Sequence, residues 1–201
     1  FAELICDQLK RSITEAVGND SARNLADEMR CNHPAFKGNR MNLEKHVLRS
    51  LAENEDFGGF MTYIQNPKEH VKRFITQEVE KYIKENKEKV ENILRRNVED
   101  ISKLLKQALH DATAAATAAE RGDTELWVEE LSRLTNHKLK FSISSDGFRD
   151  IDEFDFLKDQ IEKGLNDNEE EMRKSLSAGV MKNSRVQPEQ ILIEQLCECW
   201  W

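Results

Sequence analysis

At 201 residues the chain has length for one generous helical domain or two small ones, enough to bury a core without disulfide or metal staples. Its 38% hydrophobic and 34% charged residues, with only 8 Gly and 3 Pro, suit amphipathic helices with charged outer faces and exclude a turn-rich all-β domain. A net charge of −8 argues against nucleic acid as a partner, because displacing counterions from phosphate needs a net basic face.

Leu4, Ile5, Leu9, Ile13 and Val17 recur at helical spacing, and Gly18-Asn19 is expected to stop that helix. Asp20 or Ser21 then caps a short second helix through Met29. The pattern breaks from His33-Pro34 to Gly38-Asn39, and Leu43, Val47, Leu48 and Leu51 resume it before Gly58-Gly59. Asn66-Pro67-Lys68-Glu69 places a cap residue, a first-turn proline and a glutamate in capping-box order, so a helix starts there.

Val71, Phe74, Ile75, Val79, Tyr82 and Ile83 give this helix a buried face, and the stripe continues from Val90 to Leu109 after a phase shift near Asn86-Lys87. The acid-first pairs Glu80/Lys84, Glu85/Lys89, Glu91/Arg95 and Glu99/Lys103 support helix and carry no function. An unbroken helix from about Lys87 to Glu120 spans roughly 50 Å at 1.5 Å per residue. Its last turns, rich in Ala from Ala112 to Ala119, read equally as a surface for close helix approach and as high-propensity filler.

Gly122-Asp123 ends that helix and caps the next, which carries Leu126, Trp127, Leu131 and Leu134. Leu139, Phe141 and Ile143 alternate, giving a short extended stretch near 138–144. Asp150 and Glu153 open a further helix through Leu165, and between Asp150 and Met172 ten acids face only Lys158 and Lys163. A polar run to Ser184 reads as frayed helix or loop, and Pro188 opens the last helix. The expected fold is all-α, an elongated multi-helix bundle with one or two long helices. Its parts are a short-helix subdomain over 1–65, the long amphipathic helix or helical pair over 66–121, and further helices packing on it over 122–201.

No apolar run is long enough to span a bilayer, and Phe1-Ala2-Glu3-Leu4-Ile5-Cys6 lacks the regions of a signal peptide. Cys6, Cys31, Cys197 and Cys199 are too scattered for a secreted disulfide framework, so a reduced cytosolic or nuclear chain is expected. The opening without Met and the abrupt end at Trp201 read as a piece of a longer protein.

No glycine precedes a lysine, so a phosphate loop is missing. Asn86-Lys87-Glu88-Lys89 lacks the aspartate of a guanine-reading Asn-Lys-x-Asp, and Asp56-Phe57-Gly58-Gly59 stands without the companion motifs of a kinase or GTPase. The histidines at 33, 46, 70, 110 and 137 form no local catalytic signature, and a spatial pairing with Ser or Cys stays open. Cys197-x-Cys199 is tighter than usual zinc spacing and is the candidate start of a zinc or thiol cluster completed beyond residue 201. Trp200 and Trp201 are either a core anchor or an interface.

The strings Gly38-Asn39-Arg40-Met41-Asn42-Leu43-Glu44-Lys45-His46-Val47-Leu48, Leu51-Ala52-Glu53-Asn54-Glu55-Asp56-Phe57 and Tyr63-Ile64-Gln65-Asn66-Pro67-Lys68-Glu69-His70 resemble the region downstream of the G domain in interferon-inducible very large GTPases. Phe154-Asp155-Phe156-Leu157, Pro188-Glu189-Gln190-Ile191-Leu192-Ile193-Glu194 and Cys197-Glu198-Cys199-Trp200 extend the likeness to essentially the whole chain. The resemblance implies a parent that binds GTP with Mg, responds to interferon in innate immunity, and resides in cytosol and nucleus. For these residues it implies a non-catalytic, stalk-like helical region whose partners are the parent's own G domain and other copies of the protein. No nucleotide-binding residue carries over.

Overall fold

The computed structural model describes residues 2–119, 124–140, 154–177 and 188–198, and these fold as eight helices: α1 Ala2–Asn32, α2 Arg40–Glu53, α3 Phe57–Gln65, α4 Pro67–Glu85, α5 Lys87–Ala118, α6 Thr124–Thr135, α7 Phe154–Ser177 and α8 Pro188–Glu198. The all-α expectation holds, with two long helices. Among the described residues there is no strand; Lys138 to Lys140 follow the end of α6, and the rest of the expected extended stretch lies outside the described residues.

Two compact units draw on non-contiguous chain: residues 1–18 with 94–186, and residues 19–93 with 187–201. Helices α1 and α5, of 31 and 32 residues, each contribute to both units. The expected stop at Gly18-Asn19 is therefore corrected. Glycine in a helix interior costs about 1 kcal/mol, but Val17, Ala22, Leu25 and Ala26 on either side of it are buried, and that burial outweighs the local preference.

In the first unit, Leu9 and Ile13 of α1, Leu105 and Leu109 of α5, Leu131 of α6 and Ile161 of α7 share one core. One side of the small-residue turns of α5 faces inward: Ala112 and Ala116 are buried, and Thr113 accepts a hydrogen bond from the indole Nε1 of fully buried Trp127 at 3.1 Å, while Ala114, Thr117 and Ala118 are exposed. That one side of the alanine-rich turns is where α6 meets α5. Along α7, Phe154, Leu157, Ile161 and Leu165 are buried, while Glu171 pairs with Lys10 at 2.8 Å and Glu169 accepts from Ser102 at 2.6 Å. Helix α7 thus runs on through the acidic segment.

The second unit is built on cap chemistry. Helix α2 ends in a Schellman-type turn, with Glu55 at φ 51, its N–H donating to Ala52 O at 3.2 Å and the Asp56 N–H donating to Leu51 O at 3.0 Å. Asp56 then caps α3 by accepting from Gly59 N at 2.8 Å. Asn66 closes α3 through its N–H to Thr62 O and opens α4 by accepting from Glu69 N at 3.4 Å, so the expected cap forms, while the reciprocal arm of a capping box does not because the Asn66 N–H is already taken by Thr62. Asn86 separates α4 from α5 where the phase shift fell, and its N–H and Nδ2 both donate to Tyr82 O, at 2.9 Å each. α4 packs on α2, α3 and α8.

Candidate functional site

Within the second unit a cleft of about 580 Å³ opens between α2 and α4 above the 32–35 connector. His46, Arg49 and Glu53 line it from α2, and Glu78, Lys81 and Glu85 from α4. Spacings of three and four residues put each trio on one helix face. Cations and acids alternate across the opening, so it suits polar side chains or a small zwitterion better than an apolar ligand.

His33 sets the floor. Its Nδ1 accepts from the Ala35 N–H at 3.3 Å and its Nε2 lies 3.2 Å from Glu78 Oε2, so the neutral ring carries its proton on Nε2 and donates to Glu78. The ring stacks at a tilt on Phe36, with centroids 4.7 Å apart, and meets Tyr82 edge-on at 6.0 Å. Burial pushes its pKa below the ordinary histidine value; Glu78 opposes this, while His46 and Lys81 reinforce it. His70, buried between α3 and α4 with its ring edge-on to Tyr63, is also lowered by burial, with Arg73 adding and Asp56 opposing. With both ring nitrogens engaged, His33 is a structural clasp in this state.

A pH test follows from these two groups. Because the folded pKa values lie below the unfolded ones, the neutral rings stabilise the fold above the unfolded pKa. That stability is lost as pH falls through the unfolded toward the folded value, with a slope of at most about 1.4 kcal/mol per pH unit for each proton. The urea midpoint is expected to fall between neutral and mildly acidic pH, and His33→Gln, whose amide can accept from Ala35 and donate to Glu78, should flatten that fall. An unchanged slope in the variant would assign the effect elsewhere.

The residues singled out from sequence do not converge. Cys31 is exposed at the end of α1, and Cys197 sits half-buried in the last turn of α8. Burial raises the Cys197 thiol pKa, Lys72 and Lys68 partly offset this, and Glu194 adds to it. No cluster of three metal-ligating side chains occurs among the described residues. The described residues by themselves do not assemble a zinc site. Cys199, Trp200 and Trp201 lie outside the described residues. Asp56 proves to be the α3 cap and Asn86 the helix junction, and Lys89, expected to pair with Glu85, bonds Glu28 of α1 alongside the Tyr82 hydroxyl. The cleft itself was missed from sequence; the polar break after Asn32, ending in a glycine at φ 84, was its only trace.

Comparison with known proteins gives the chain its kinship. It aligns over its whole length with interferon-induced very large GTPase 1 of Homo sapiens, at 28% identity over 204 residues. The Mus musculus protein of the same name aligns at 30% identity over 205 residues. The chain is related to a segment of the interferon-induced very large GTPases. It spans 8% of the length of each of these two relatives. No family profile and no solved structure matches it. Of the strings that carry the likeness to the very large GTPases, all but Phe154–Leu157 fall in the second unit, which holds the cleft. No described helix is long and apolar enough to cross a membrane.

Proposed function

We propose that this chain is a non-catalytic helical region of a large, interferon-inducible GTP-binding protein of cytosol or nucleus. In this reading it couples a G domain outside these residues to self-association or partner binding. GTP and Mg are handled by the parent, and the partners of this region are the G domain and other copies. Support comes from one observation above all: α1 and α5 run without a break through the division between the two compact units. A continuous helix transmits a displacement along its length, because bending it breaks backbone hydrogen bonds. The relatives' name supplies the GTPase.

Light scattering of the intact parent, with Mg and either GTP or GDP, tests this. A nucleotide-dependent change in mass is expected, and it should vanish when residues 1–201 are deleted. A deletion that leaves the nucleotide response intact would remove the coupling role.

A further inference from the structure

We propose that the first unit binds a single water molecule between α5 and α7, held by Asn168, Ser102 and Glu169. Among the described residues of α7 the buried ones are Phe154, Leu157, Ile161, Leu165 and Asn168. Met172 continues the stripe and packs against the same core. Steps of three and four residues keep all six on one helix face. Asn168 is the one polar side chain in that row, and it is only 7% exposed. A buried amide costs free energy unless its oxygen and its nitrogen both find hydrogen-bond partners. Its Nδ2 donates to Met172 Sδ at 3.9 Å, and a thioether is a weak acceptor. Its Oδ1 is buried, and no donor among the described residues reaches it.

The space beside this amide identifies the ligand. Asn168 lines a cavity of about 10 Å³ whose wall is mostly apolar side chains of α1, α5 and α7, with Ser102 and Glu169 as its other polar members. That volume sits at the lower end of the roughly 10–15 Å³ that one water needs, so an organic ligand does not fit. A water in an apolar wall also needs about two to four polar partners. Three are at hand. Ser102 Oγ donates to Glu169 Oε2 at 2.6 Å and keeps its own lone pairs. A water can therefore give one hydrogen to Asn168 Oδ1 and the other to Ser102 Oγ or the Glu169 carboxylate. A metal ion would find one carboxylate, and no cluster of three metal-ligating side chains occurs among the described residues. The bound water accounts for an asparagine standing in an otherwise apolar stripe.

Water-to-methyl nuclear Overhauser spectra of the full chain test this directly, because Val98 and Leu165 carry methyl groups and also line the cavity. Cross-peaks from water to both side chains are expected in the native chain. In Ser102→Ala they should persist, since Asn168 and Glu169 still hold the water, whereas a signal relayed through the serine hydroxyl would vanish. Asn168→Leu, which completes the apolar stripe, should lose them while its helical circular dichroism is unchanged. Asn166→Leu, at an exposed position of the same helix, should keep them. Native spectra without these cross-peaks would overturn the proposal, as would their loss in Ser102→Ala or their survival in a folded Asn168→Leu. If Asn168→Leu does not fold, the native and Ser102→Ala spectra decide by themselves.

Discussion

Trp127→Ala is expected to destabilise the first unit by about 3–5 kcal/mol, the range for emptying the site of a fully buried large aromatic. Trp127 is the largest fully buried side chain described, and it covers the Ala112 and Ala116 face of α5. Its indole N–H is satisfied by Thr113 Oγ1 at 3.1 Å. Thr113→Val keeps the shape but leaves that buried donor unpaired, which costs about 1–3 kcal/mol. The double variant should cost less than the sum, because once the indole is gone the valine has nothing to deprive. Urea unfolding followed by far-ultraviolet circular dichroism measures all three. Additive losses would mean that the hydrogen bond contributes nothing beyond packing, and a Trp127→Ala loss under about 1 kcal/mol would contradict the close packing of α6 on α5.

Local chemistry was legible wherever the cause lay within a few residues. Asn66, Pro67 and Glu69 specify a helix start by their own hydrogen-bonding capacity and fixed φ, and the structure forms it there. The phase shift at Asn86 was legible for the same reason, since an out-of-register stripe cannot face one core. Gly18 misled because its preference is worth about 1 kcal/mol, while Val17 and Ala22 beside it are buried. The cost is local and the compensation comes from distant helices.

The candidate site depends still more on distance. Glu78 reaches His33 from 45 positions along the chain, and Glu28 bonds Lys89 across 61. Periodicity places Glu78 and Lys81 on a helix surface without saying that α2 will stand opposite them. The exposed face of α3 was equally hidden, because nothing in the local pattern says that Gly59 is the side turned inward while Phe57, Met61 and Ile64 stay exposed. At Gly59 a Cβ would lie 2.6 Å from Leu51 Cδ2 and still nearer the Asp56 carboxylate. Glycine lets α3 lie close on α2, and that contact leaves the three large side chains facing outward.

Arg95→Pro is expected to have the second largest effect, because it strikes a helix that both units use. Arg95 is exposed, two residues past the division between the units and eight past the start of α5. Proline there removes the N–H that bonds the carbonyl of Glu91 and sets its ring against that carbonyl, at about 3 kcal/mol or more. Arg95→Ala keeps the helix and serves as the control. Amide hydrogen exchange separates the outcomes. In the native chain, α4 amides over Val71–Tyr82 and α5 amides over Val98–Leu109 should open with similar free energies, since unfolding either unit frays the shared helices. In Arg95→Pro the two groups should diverge, each reporting its own unit. The parent carrying this substitution should retain GTP hydrolysis, whose chemistry lies outside these residues in the proposed reading, while its nucleotide-dependent change in mass is lost. Hydrolysis and assembly lost together would place a catalytic requirement in this region. Assembly kept despite separated exchange would show that coupling does not travel through α5.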